Sequence, residues 1–144
     1  MITIITSNDK MSKNIIEVSQ ENFVELVIKG SENLPIIVDF WAPWCSPCKQ
    51  LTPILEKIAT SFEEKIILAK INIDENQSIA AQMQIQSIPM VYAFFNGQVV
   101  DGFQGNIVES EVVDFFKKVS KLSGPSPEIS DYLEELKNAI SNSS

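Results

Sequence analysis

The most constraining feature of this chain is the stretch 35–62, where a short apolar run passes directly into an amphipathic helix across Pro43-Trp44-Cys45-Ser46-Pro47-Cys48. Residues 36–42 are apolar without alternation apart from Asp39, the pattern of a strand covered on both faces, as in a parallel sheet. Leu51, Ile54, Leu55, Ile58 and Phe62 follow at spacings of three and four, which mark one face of a helix. Pro53 lies inside that helix and is expected to bend it, because it cannot donate the backbone hydrogen bond. A fully covered strand feeding a helix, with two cysteines at the joint, points to an α/β architecture.

The rest of the chain extends this pattern. Residues 15–18 read as a short strand. Ser19 offers an N-cap, Phe23, Leu26 and Val27 fall at helical spacing, and Gly30 is expected to close the segment. Residues 66–73 form the next strand, followed by a short helix around 78–83. Residues 90–95 and 98–103 flank Asn96-Gly97, the strongest short-range hairpin signal. Val112, Val113, Phe116, Val119 and Leu122 mark a further helix. The resulting order, β-α-β-α-β-α-β-β-α, gives a mixed central β-sheet flanked by helices, parallel first and antiparallel at the end. Residues 1–14 read as an N-terminal tail and 15–122 as the domain. Residues 123–144 read as a Ser/Gly/Pro linker followed by an extra C-terminal amphipathic helix over 126–140, carrying Ile129, Tyr132, Leu133, Leu136 and Ile140.

Composition limits the chemistry. The 144 residues suit one domain. Nineteen acids against eleven bases, all lysine, give a net charge of −8, which argues against nucleic acid and anionic membranes as partners. The absence of histidine excludes His-dependent triads and imidazole proton shuttles, and the absence of arginine removes bidentate phosphate clamps. No apolar run approaches the ~20 residues that span a bilayer. The N-terminal stretch lacks the basic and long apolar regions of a signal peptide, so a cytoplasmic chain is expected.

The two cysteines, Cys45 and Cys48, sit three apart. Cα atoms at that spacing on a helix are about 5 Å apart, inside the roughly 4.4–6.8 Å that a disulfide spans. The helix N-terminus favours a thiolate at Cys45 through its free N–H groups and the macrodipole. Cys45 is therefore expected to be the exposed nucleophile and Cys48, one turn in, the resolving thiol. Two other readings stand beside this one: ordinary core cysteines, or half of a zinc site shared across a dimer. By its residues alone, Asp39 reads equally as a buried acid or a strand-end acid, and Lys70 as a surface lysine.

The segment from Phe40 to Lys49, Phe-Trp-Ala-Pro-Trp-Cys-Ser-Pro-Cys-Lys, resembles the active-site segment of the thioredoxin family. The resemblance continues through Ala69-Lys70-Ile71-Asn72-Ile73-Asp74, Ser87-Ile88-Pro89, the Asn96-Gly97 hairpin and Gly105, covering roughly residues 15–122. It implies a thioredoxin fold and a protein disulfide oxidoreductase working through a Cys45–Cys48 redox disulfide, with no cofactor and no metal. It also implies roles for individual residues. Asp39 would be a buried proton acceptor for Cys48, Lys70 would tune that acid, and Pro89 would be a cis-proline beside the disulfide. Trp44, Ile88, Pro89, Met90 and Gly105 would line a groove for an extended substrate segment. The implied partners are disulfide-containing or unfolded proteins and a reductase that regenerates the dithiol.

The chain departs from the family pattern at Ser46, where glycine is most common, and at Met90, where threonine is usual. Val100-Asp101-Gly102-Phe103-Gln104-Gly105, with Ile79-Ala80-Ala81-Gln82, is also similar to thioredoxin-domain co-chaperones that carry tetratricopeptide-like repeats. A redox-linked holdase for unfolded clients is therefore the alternative expectation.

Overall fold

The computed structural model describes residues 12–122. Most of the expected tail and the whole of the expected linker and C-terminal helix lie outside the described residues. Five strands form one sheet in the order β1-β3-β2-β4-β5, with β1 Ile15–Glu17, β2 Ile36–Trp41, β3 Ile67–Asn72, β4 Met90–Phe95 and β5 Gln98–Gln104. β1, β3 and β2 run parallel to one another, whereas β4 and β5 are antiparallel to their neighbours. The unalternating run therefore becomes the central strand, buried from Ile36 through Phe40 because both edges and both faces are occupied.

Strand periodicity divides the core in two. Ile37, Leu68, Val91 and Ala93 face helices α1 (Ser46–Thr60) and α3 (Glu109–Ser120), meeting Leu51, Leu55, Ile58, Val112 and Phe116. Ile36, Val38, Phe40, Ala69 and Ile71 face the opposite side, meeting Phe23, Val27 and Ile79, the last on the short helix α2 (Gln77–Gln82). Because side chains two apart share a face, Asp39 falls on the Ile37 side, beneath α1. Lys70, two residues from Leu68, shares that side and is the register partner of Asp39.

Between β1 and β2 the winding departs from expectation. Val24–Lys29 forms a wide π-helical segment that runs into a 3₁₀ turn over Gly30–Glu32. Phe23 and Val27 are buried, but Leu26, expected on the same face, is exposed. The capping bond runs in reverse, with the Ser19 N–H donating to Asn22 Oδ1 at 2.8 Å. Gly30 closes the π-helical segment as its C-cap, its N–H donating to Val27 O, but not in the left-handed conformation usual for a closing glycine. It keeps a right-handed conformation, and a Cβ there would lie 3.1 Å from Ile36 Cδ1, so close packing on β2 explains the glycine. The Asn96-Gly97 hairpin is as expected: both residues have positive φ, 54° and 80°, as a type I′ turn requires.

Asn14 belongs to the packed domain. Its side-chain amide donates to Ala59 O and Ile66 O, both at 2.8 Å, tying the end of α1 to the start of β3. Asn14→Ala would remove both bonds, leaving Ala59 O to the Phe62 N–H, and should cost about 1–3 kcal/mol in urea unfolding. A loss below about 0.5 kcal/mol, the range of an ordinary surface change, would show that this clamp does not contribute.

Candidate functional site

The site grows from the joint between β2 and α1. The Cys45 N–H donates to Ala42 O at 3.1 Å, and Cys45 itself is extended (φ −89°, ψ 106°), which makes it the N-cap of α1. Its sulfur accepts the Cys48 N–H at 3.2 Å, occupying one of the free donors at the helix start. Pro47, in the first turn, has no N–H to leave unpaired. The helix continues through Pro53, where the i−4 bond cannot form.

Cys45 and Cys48 are joined as a disulfide, with Cα atoms 5.3 Å apart. The exposure expected of Cys45 is absent: it is 4% exposed and Cys48 1%. Trp41, Ile73 and Ile88 pack against the pair and cover it, and two of these come from outside the motif.

Beneath α1, Asp39 is fully buried. Thr52, one helical turn beyond Cys48, donates its hydroxyl to Asp39 Oδ2 at 2.7 Å, while Oδ1 has no hydrogen-bond partner among the described residues. Lys70 reaches across to α1 and pairs with Glu56 Oε2 at 2.7 Å. Burial pushes the Asp39 carboxyl up to about 6, with the Thr52 hydrogen bond and the charge of Lys70 opposing that rise and Glu56 adding to it. A cavity of about 250 Å³ opens beside this group, lined by Trp41, Cys48, Lys49, Thr52, Pro53 and Lys70. Thr52 and Glu56 were not singled out from sequence. The available signal was their spacing, since 48, 52 and 56 fall four apart and so line one stripe of the helix that covers Asp39 and Lys70.

The remaining candidates lie around the opposite mouth of the joint. The Ile88-Pro89 peptide bond is cis, and the Gly105 N–H donates to Pro89 O at 2.8 Å, which brings the β5 end next to the proline. Trp44 is 67% exposed, and its indole N–H donates to Asp74 Oδ1 at 3.1 Å, anchoring the ring to the turn after β3. A depression of about 290 Å³ is lined by Trp44, Ile73, Ile85, Gln86, Ser87 and Ile88. Met90 starts β4 and is partly buried, packing, like Ile88, against the core cluster that holds Phe40. Among the described residues, no group of three or more Cys, Asp or Glu could hold a metal ion, and no helix is long and apolar enough to cross a membrane.

Known proteins are similar to this chain in sequence. The Thioredoxin family model matches residues 14–118. The thioredoxin of Haemophilus influenzae is 35% identical over 104 residues, covering 72% of this chain and 95% of that protein. The thioredoxin of Rickettsia bellii is 49% identical over 84 residues, covering 58% and 78% respectively. The chloroplastic M-type thioredoxin of Spinacia oleracea is 34% identical over 116 residues, covering 81% and 63%. A cysteine pair closing at a helix N-terminus, on this sheet and with these relatives, leads to one conclusion: the chain belongs to the thioredoxin family and is a dithiol–disulfide oxidoreductase.

Proposed function

We propose that this exchange runs in the reducing direction on protein disulfides, with Cys45 as nucleophile, Cys48 as resolving thiol and Asp39 as proton acceptor. The observation that carries the proposal is the 3.2 Å contact between the Cys48 N–H and the Cys45 sulfur at the helix start, where a negative sulfur is favoured.

In the reduced protein the Cys45 thiolate attacks one sulfur of a substrate disulfide. A Cys45–substrate disulfide forms, and the first substrate sulfur leaves as a thiolate. Cys48 then gives its proton to Asp39 and attacks Cys45. The Cys45–Cys48 bond forms, the mixed disulfide breaks, and the second substrate thiolate leaves. Two electrons have passed to the substrate, and a partner reductase returns two to the pair.

Asp39 suits the acceptor role because burial lifts its carboxyl to about 6, where it still ionises below neutrality and can be reprotonated near it. Lys70 tunes it by charge and is itself held by Glu56. Trp44, Ile88, Pro89, Met90 and Gly105 form the substrate side in this reading, an extended segment pairing with the backbone at Ile88 and covering the depression beside Trp44. The substrates are disulfide-bearing or unfolded proteins. A reducing compartment such as the cytoplasm fits a chain whose only two cysteines are the exchanging pair.

Two outcomes check this reading. Cys45→Ser should abolish insulin reduction in the presence of dithiothreitol, whereas Cys48→Ser should accumulate a mixed disulfide with the substrate; full turnover by Cys45→Ser would remove its nucleophilic role. Asp39 gives a pH signature in stability. Its folded pKa lies above the unfolded 3.8, so the native state holds the extra proton between that value and about 6, and stability falls as pH rises through this window. Asp39→Asn should therefore stabilise the protein at pH 8, by up to about 3 kcal/mol, and lose that advantage near pH 4. Urea unfolding at the two pH values measures this, and an equal effect at both would contradict the shift.

A further inference from the structure

The buried carboxylate of Asp39 has unequal support for its two oxygens. Oδ2 receives the Thr52 hydroxyl at 2.7 Å, and Oδ1 receives no donor among the described residues. The charged groups around it come from two elements: Lys70 on β3 and Glu56 on α1. Lys70 and Glu56 are bonded to each other at 2.7 Å, and β4 places Val91 opposite Asp39 in register. Thr52 is thus the one donor bonded to the carboxylate. It also lines the cavity that Cys48 and Lys70 share. A threonine inside a helix commonly turns its hydroxyl back to the carbonyl four residues earlier. Here the hydroxyl is spent on the carboxylate across the helix–sheet interface.

We propose that Thr52 is a positioning residue for disulfide exchange: its hydroxyl holds the Asp39 carboxylate by Oδ2 and leaves Oδ1 free to take the proton of Cys48. The inference rests on the acceptor role given to Asp39 above. In that step the Cys48 S–H bond breaks and an O–H bond forms on Asp39. The Cys45–Cys48 bond then forms as the mixed disulfide breaks, and the electron pair leaves on the substrate thiolate. A hydroxyl that donates to the anion lowers the pH at which the acceptor becomes available. This acts in the same direction as Lys70 and against desolvation.

The test is to titrate the Asp39 carboxyl by carbon-13 NMR in the full oxidised chain, for the wild type, Thr52→Val and Thr52→Ser. The valine variant keeps the shape and loses the donor, so its midpoint should rise by about one pH unit. The serine variant keeps the hydroxyl and should titrate with the wild type. Thr52→Ala serves in place of valine should the added methyl prevent folding. The pH profile for release of the substrate from the mixed disulfide should move with the midpoint in each variant, and Asp39→Asn should abolish its inflection. Coincident midpoints for wild type and Thr52→Val would overturn the role of Thr52 while leaving the acceptor intact. An Asp39→Asn profile identical to wild type would instead overturn the acceptor role, and with it any catalytic purpose for Thr52.

Discussion

Everything functional here depends on how the chain leaves its central strand. β2 ends at Trp41, and four residues later Cys45 caps a helix that returns over the same strand. The turn is tight because Cys45 bonds back to Ala42, and it places a sulfur where the helix has N–H groups without intrahelical partners. The same geometry places the second cysteine one turn inside at 5.3 Å, a separation a disulfide can bridge without moving the backbone. A macrodipole contribution of about 0.3–1 kcal/mol, rising to ~2 in favourable geometry, corresponds to about 0.2–0.7 pKa unit, rising to ~1.5. That is enough to change the thiolate fraction near neutrality several-fold.

The second consequence of the joint lies beneath it. Because α1 crosses β2, the odd-numbered side of the strand is sealed, and Asp39 is sealed with it. A carboxylate in that position is a liability for the fold: its charged form has lost water and recovered one hydroxyl donor and a lysine across the strand register. The same desolvation moves its ionisation into the range where a thiol can exchange a proton with it. Stability and chemistry therefore pull in opposite directions at one residue, and Thr52, Lys70 and Glu56 moderate the conflict.

Local signals and long-range packing were not equally legible. The covered strand, the helix after the cysteines and the Asn96-Gly97 turn could be read because period and turn chemistry are written within a few residues. The packing reason for Gly30 could not, since Ile36, which a Cβ there would crowd, lies beyond the segment. The cysteine pair was legible by spacing and position. Its cover was not, because Ile73 and Ile88 reach it from two other parts of the chain. Thr52 and Glu56 gain meaning only once strand parity puts Asp39 and Lys70 on the α1 side. Asn14 was missed for a similar reason, since a lone polar residue before a strand carries no sign that two carbonyls await it.

The central claim is that the helix start favours a negative sulfur at Cys45. The pH dependence of iodoacetamide alkylation of the fully reduced protein measures this directly, with mass spectrometry assigning the modified cysteine. Cys45 should be alkylated first, with an inflection below the 8.5 of a free thiol. A Cys45 rate that keeps rising to 8.5 or beyond, or preferential labelling of Cys48, would contradict it.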